Sequence, residues 1–326
     1  MIKDFITIKP GKINDYLHHV DLKQLGARRL LSGYICEFDD SSVILDSGSS
    51  FEVKHVLRYA KKKKISLEKV KYLITSHHHF DHNGGMWKLY LEVKKHNPEV
   101  KILTSRQTKE YLNNFESHLE RAKRSFGDMI GRMEPIEDKA FELITPSEPE
   151  PMKIIESFSL NDSKIDLAII KTPGHTPDHQ SSLFIRDGKI NFIFFGEAVG
   201  TLYHSSELIT LPVSAPIHYN YEDHMHTLKI LKKLDIENAG FSHFGIVHGE
   251  ENVKRVIAEH QSFMKQFRSD IIKFYQEKDE TRYIVEKITP SLFNRSDLFN
   301  DDHLVLQNMI LQSVYGVLMD LGYREN

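Results

Sequence analysis

Up to about residue 250 the chain alternates short apolar runs with helical stripes; beyond Glu251 the pattern is helical throughout. Residues 29–38 (RLLSGYICEF) and 42–45 (SVIL) read as two strands joined by a turn at Asp39-Asp40-Ser41. Residues 51–64 have helical spacing at Val53, Val56, Leu57 and Ala60, and residues 70–75 form a third strand, apolar enough to be buried on both faces. A helix over 86–95 and a strand over 100–104 follow. Residues 107–130 carry one amphipathic stripe (Tyr111, Leu112, Phe115, Leu119, Ala122, Phe126 and Ile130), which predicts a single long helix. A rigid proline-rich connection over 146–151 leads to four short strands between 154 and 195, then a helix over 221–234 and a strand over 239–242. Two further stripes, Val253 to Phe274 and Ile310 to Leu321, predict a helical C-terminal extension. The division is a catalytic domain over 1–250, with a helical insertion at about 107–132, and an extension over 251–326.

Composition adds limits. Of 326 residues, 40% are hydrophobic and 27% charged, and the net charge is −3 with neutral histidine. A chain of that balance buries a sizeable core and advertises neither a nucleic-acid nor an anionic-membrane surface. The first residues, MIKDFITIKPGK, have no apolar leader, and no apolar run is long enough to span a bilayer. The single cysteine, Cys36, allows no internal disulfide and sits in an apolar run as a small hydrophobe. The expected setting is cytoplasmic, with a small-molecule substrate and a homodimer as the candidate assembly.

The unusual feature is histidine, nineteen in all. His18, His19, His55, His96, His118 and His260 have no partner in sequence and read as surface or core residues. The run SHHHFDHNGG is different. Directly after a strand, alternate residues point the same way, so His77 and His79 can share a cation while His78 points elsewhere. Asp81 and His82 lie on the next turn and can address a second ion. Gly84 and Gly85 permit close backbone approach. Imidazole with carboxylate and no thiolate suits zinc first, with iron or manganese as alternatives. Three other strand ends repeat the form of apolar run, tight turn, ligand: IIKTPGHTPDH presents His175, INFIFFGEAVG presents Glu197, and AGFSHFG presents His243.

In this order the segments resemble the motifs of the metallo-β-lactamase superfamily, over roughly residues 28–250, and most closely its glyoxalase-II-like hydrolases. VILDSGSS resembles the first motif, whose aspartate matches Asp46; SHHHFDHNGG, TPGHTPDHQSSLF, FFGEAVG and FSHFG follow as the second to fifth. The resemblance implies an α+β fold, a four-layer αββα sandwich with two divalent ions at one edge between the sheets. It assigns His77, His79 and His175 to the first ion and Asp81, His82 and His243 to the second. Glu197 takes the bridging position, where the family usually has aspartate, and the extra methylene must alter ion spacing or binding mode. Asp46 would orient a ligand from behind.

Such a pair makes hydroxide available near neutral pH, so the implied reaction is hydrolysis of an ester, thioester, lactone or phosphoester, with Asp81 orienting the nucleophile or carrying its proton. A true β-lactamase is disfavoured, because the commonest ones have cysteine where Glu197 stands, and nuclease branches carry motifs missing here. The alternative is an iron-dependent protein that uses or senses oxygen, persulfide-dioxygenase-like or di-iron. Flavodiiron proteins, however, usually have glutamate at the position of His79. The stretch after Glu197 should wall the pocket, with Tyr203 and His204 as candidate substrate contacts and His179 and His248 as outer groups.

Overall fold

The computed structural model describes residues 5–298 and 304–325. After the short strand β1 (Ile6–Thr7), the chain lays down one sheet in sequence order: β2 (Gly11–Lys12), β3 (Leu17–Asp21), β4 (Ser32–Glu37), β5 (Ser42–Leu45), β6 (Val70–Ile74), β7 (Lys101–Ser105) and β8 (Phe141–Ile144). Its early pairs are antiparallel and β5 through β8 run parallel. The second sheet is built from β9 (Ile154–Leu160), β10 (Ser163–Lys171), β11 (Gln180–Arg186), β12 (Lys189–Gly196), β13 (Asn238–Phe241) and β14 (Ile246–His248), with β1 returning as its far edge.

The strands are apolar on both sides because both sides are covered. In β12, Phe192 and Phe194 point between the sheets while Ile193 and Phe195 point to the outer helices; β10 divides Ile165, Leu167 and Ile169 from Ala168 and Ile170 in the same way. Phe38 and Phe158 stack across the gap at 4.3 Å, and the Tyr34 hydroxyl donates to the Phe241 and Gly245 carbonyls of the opposite sheet. Outside the first sheet lie α1 (Val53–Lys63), the single turn α2 (Phe80–Asn83) and α3 (Met86–Lys94), with Val53, Val56, Ala60, Leu89 and Val93 facing inward. Helices α4 (Arg106–Asn113) and α5 (Glu116–Phe126) follow β7. Outside the second sheet lie α6 (Tyr221–Leu231) and the start of α7 (Glu250–Glu277), which packs onward against α8 (Thr281–Phe293) and α9 (Leu304–Asp320) around their own apolar cluster. The order helix, sheet, sheet, helix is the four-layer α+β architecture.

Two readings change. The long helix expected over 107–130 is broken at Asn114, whose backbone leaves the helical region (φ −117°, ψ 52°). The cause is Asn113, whose amide donates to the Ile136 carbonyl at 3.0 Å and accepts the Ile136 N–H at 2.9 Å, tying the helix end to a distant loop. The stripe then continues on a separate axis as α5. Strands β1, β2, β3, β8 and β14 add to the predicted set. In β3 the pattern is hidden by His18 and His19, yet His19 is buried, stacked on Tyr34 and held by Ser32 Oγ at 2.9 Å.

Candidate metal centre

The C-terminal ends of β5, β6, β10, β12 and β13 open on one edge of the sandwich, the position where α/β sheets present ligands. Asp46 follows β5, the His77–His82 stretch follows β6, His175 follows β10, Glu197 follows β12 and His243 follows β13. The β6 loop is pinned to β11 by Gln180, whose backbone N–H donates to the Ser76 carbonyl at 2.9 Å and whose side chain donates to the Thr75 carbonyl at 2.8 Å. Glu197 is aimed by its own backbone: Gly196 before it holds φ +60°, and its N–H donates to His179 Nε2 at 3.0 Å.

The donors gather in two groups. His77, His79, His175 and Glu197 offer one atom each within 4.8 Å of one another, and so do Asp81, His82 and His243. Glu197 joins them, with Oε2 lying 2.8 Å from His175 Nε2, 3.1 Å from His82 Nε2 and 3.4 Å from His77 Nε2. His175 Nε2 is 3.0 Å from His79 Nδ1, and His243 Nε2 is 3.2 Å from His82 Nε2 and 3.5 Å from Asp81 Oδ2.

Hydrogen bonds on the far side of the rings settle which nitrogen faces inward. His175 Nδ1 donates to the Val213 carbonyl at 2.6 Å and His243 Nδ1 to the Leu30 carbonyl at 2.6 Å, so both Nε2 atoms face inward and carry lone pairs in the neutral ring, the form that binds a cation. For His77 the same result comes through a relay. Ser76 Oγ donates to Asp46 Oδ2 at 2.6 Å and must therefore accept from His77 Nδ1 at 3.0 Å. The other Asp46 oxygen accepts from the Ser76 N–H at 2.7 Å and the Asn83 amide at 2.8 Å. Asp46 is thus engaged by Ser76 and Asn83, and its Oδ2 also lies 3.5 Å from His82 Nδ1, so it stands behind two of the donor rings. His77 Nε2 is left buried without a hydrogen-bond partner. Several lone pairs facing one another around two carboxylates is an arrangement that a cation relieves, and the all-nitrogen-and-oxygen donor set fits a divalent ion.

Without a cation the electrostatics divide along the same lines. Burial, reinforced by neighbouring imidazoles, holds His77 and His79 well below the usual histidine range. Burial also pushes His82 down, but Asp81 and Glu197 outweigh it and the net shift is well upward. Burial raises Glu197, yet His175 and His82 override it and hold the carboxylate well below normal. Asp81 behaves alike: burial raises it, His82 and His243 prevail, and it falls to about 2.

Above the donors is a cavity of about 190 Å³ lined by Asp81, Glu197, His175 and His243 at its floor and by α5 and α9 at its sides. Tyr203 lines it too, with its hydroxyl donating to the Leu30 carbonyl at 2.9 Å and 2.8 Å from His243 Nδ1, so it braces His243. The expectation for His204 is corrected: it is not among the lining residues, and its Nδ1 instead accepts the N–H groups of Ser206 and Glu207 in a local turn. His248 is likewise elsewhere, bonded to Asn238 and Thr7. His78 does turn away from the donors, its Nδ1 donating to Asp178 at 2.8 Å.

His118 is the residue whose nearness to the donors the sequence does not reveal. The break before α5 swings its ring against His79, parallel at 5.2 Å, and close to His78. His78, His79 and His118 also fall within ligand distance of one another. His118 Nε2, however, accepts the Phe80 N–H at 3.1 Å, which leaves the proton on Nδ1. Burial, with His78 adding to it, holds the ring down to about 3 and therefore neutral. No signal in sequence spacing marks this residue, because its neighbours arrive from 38 positions away.

Comparison with known proteins agrees with this architecture. The family model of the metallo-beta-lactamase superfamily matches residues 31–243, and the chain belongs to that superfamily. No protein of curated function matches the sequence. Among solved structures, the chain is similar to an archaeal metallo-beta-lactamase superfamily protein from Sulfolobus tokodaii, with TM-score 0.64 and 22% identity over 94% of this chain and 99% of that one. A metallo-beta-lactamase family protein from Thermus thermophilus is similar with TM-score 0.58 and 15% identity over 90% of this chain and 88% of that one. The subclass B3 metallo-beta-lactamase MEM-A1, from a soil metagenome library, follows with TM-score 0.53 and 16% identity over 79% and 94%. At these identities the likeness is one of fold.

Proposed function

We propose that this chain is a dinuclear metal-dependent hydrolase acting on a small ester, thioester, lactone or phosphoester. In this reading His77, His79 and His175 hold one divalent cation, Asp81, His82 and His243 hold the other, and Glu197 is shared between them. Zinc suits the donor set best, with iron or manganese as alternatives. The supporting observation is Glu197 Oε2, which lies within 3.4 Å of rings from both groups. Bound there, a cation pair supplies hydroxide near neutral pH and polarises a carbonyl or phosphoryl oxygen. The chain's own groups do the rest. Asp81 faces the cavity, is steadied by Gln24 Nε2 at 3.1 Å and stands ready to hold the nucleophile's proton. His243, braced by Leu30 and Tyr203, keeps its ring fixed while charge develops. The helices over the cavity hold back bulk water.

The test is metal analysis together with hydrolysis of 4-nitrophenyl acetate and bis(4-nitrophenyl) phosphate before and after chelation. Glu197→Asp withdraws the carboxylate by about one bond, ~1.5 Å, and should lower the affinity for the second cation while the fold persists. Metal-loaded protein that hydrolyses neither ester, or a variant with unchanged stoichiometry and rate, defeats this assignment.

A further inference from the structure

The cavity has one wall that the donor cluster does not explain. Arg121, on α5, lines it and is only partly exposed. Among the described residues its guanidinium forms no ion pair or hydrogen bond, although Asp81 lines the same cavity; Asp81 is engaged instead with His82, His243 and Gln24. The neighbouring arginine of the same helix, Arg124, is paired with Glu120 on the outer surface, so the contrast lies within one element. One turn before Arg121, His118 also lines the cavity, and its Nδ1–H is left as a donor because Nε2 accepts from Phe80. The lining also includes apolar Leu25, Phe80, Phe126 and Met309, with Gln24, Ser125 and Gln312 as further polar members.

We propose that the substrate is a small oxyanion-bearing molecule, its carboxylate or phosphate met by Arg121 with His118 beside it, its short apolar body against Phe80 and Phe126, and its scissile group at Asp81 and Glu197. The proposal rests on the hydrolase reading for the position of the scissile group. Three features carry it. A planar guanidinium presents several fixed donors and suits carboxylate or phosphate in two-point contact. A guanidinium at the cavity wall that pairs with none of the acids among the described residues is free to meet an acid brought in by a ligand. The cavity, at about 190 Å³, is smaller than the usual pocket for a drug-sized ligand, so anionic group and reacting group must belong to one compact molecule.

The test compares 4-nitrophenyl hydrogen succinate with its neutral isostere, 4-nitrophenyl 4-methylpentanoate, on metal-loaded wild type and on Arg121→Met, Arg121→Lys and His118→Phe. Charge-assisted contacts of this kind predict that Arg121→Met raises KM for the succinate ester roughly 10- to 100-fold, with kcat within about threefold. The neutral ester should be unaffected, and Arg121→Lys should recover part of the loss. Calorimetric titration with methyl hydrogen succinate and, separately, inorganic phosphate gives a second readout and distinguishes carboxylate from phosphate. Arg121-dependent binding without hydrolysis of either ester supports the anion site and overturns the ester-hydrolase reading. Hydrolysis of both esters with equal KM, or a loss on Arg121→Met shared equally by both, overturns the anion site and leaves the hydrolase standing.

Discussion

Asp46→Asn inverts a hydrogen-bond relay without changing a shape. Asp46 Oδ1 faces two donors, the Ser76 N–H at 2.7 Å and the Asn83 amide at 2.8 Å, so the new amide nitrogen must take the place of Oδ2. There it meets Ser76 Oγ at 2.6 Å as a donor facing a donor, and it also loses the carboxylate's ionic contact with His82 Nδ1, 3.5 Å away. The serine hydroxyl resolves the conflict by turning, accepting from the amide and donating to His77 Nδ1, 3.0 Å away. His77 then carries its proton on Nε2, the atom 3.4 Å from Glu197 that must offer a lone pair. Removing an orienting group behind a metal-bound histidine typically weakens metal affinity about 10- to 100-fold, or roughly 1.4 to 2.7 kcal/mol. The assay is competitive Zn²⁺ titration of metal-free protein against a chromophoric chelator. Ser76→Ala, which deletes the relay without reversing it, should lose less. An Asp46→Asn variant that binds zinc within threefold of wild type, or a Ser76→Ala variant that loses more, refutes the relay.

Three further outcomes follow from the same geometry. Gly196→Ala places a methyl group 2.5 Å from His179 Nε2 and 3.1 Å from Ser76 Cβ at φ +60°. It should cost at least about 1–2 kcal/mol in denaturant unfolding and shift Glu197; a loss under about 0.5 kcal/mol with unchanged metal stoichiometry contradicts this. Burial holds His19 down to about 3, so between about pH 3 and 6.5 only the unfolded chain takes up that proton. Its contribution is therefore intact above about pH 6.5 and declines on acidification, by about 2 kcal/mol at about pH 5. His19→Phe should flatten the acid limb by that amount, and an unaltered limb would count against it. Lastly, cation at about 1,000-fold over its Kd should add roughly 4 kcal/mol and raise Tm by about 6 °C. Calorimetric scans with and without chelator that superimpose would leave the donor cluster without a cation.

The strand-end donors were legible because each combines a residue type of narrow chemistry with a spacing that only a strand terminus makes useful. His77 and His79 alternate, and His175, Glu197 and His243 each follow an apolar run. Fold class was legible for the same reason, since buried strands carry their double-sided pattern openly, as in β12. Three things were hidden. The break at Asn114 depends on a contact between Asn113 and Ile136, which no local pattern contains. His118 follows from that break. The link from Asp46 to His77 depends on which way a serine hydroxyl points, a fact that exists only once Asp46, Ser76 and His77 are brought together. His204, conversely, shows that proximity in sequence to Glu197 is a poor guide to the cavity, because the turn after β12 consumes its ring.

The two helices that roof the cavity, α5 and α9, belong to neither sheet, and they are stitched to each other where Asn308 Nδ2 donates to the Ser125 carbonyl at 3.2 Å. On the proposed function, chemistry and selectivity would therefore fall to separate parts of the molecule. Mutational drift in the roof can retune what is admitted while the strand termini beneath remain untouched, which makes the roof the natural place to redesign preference.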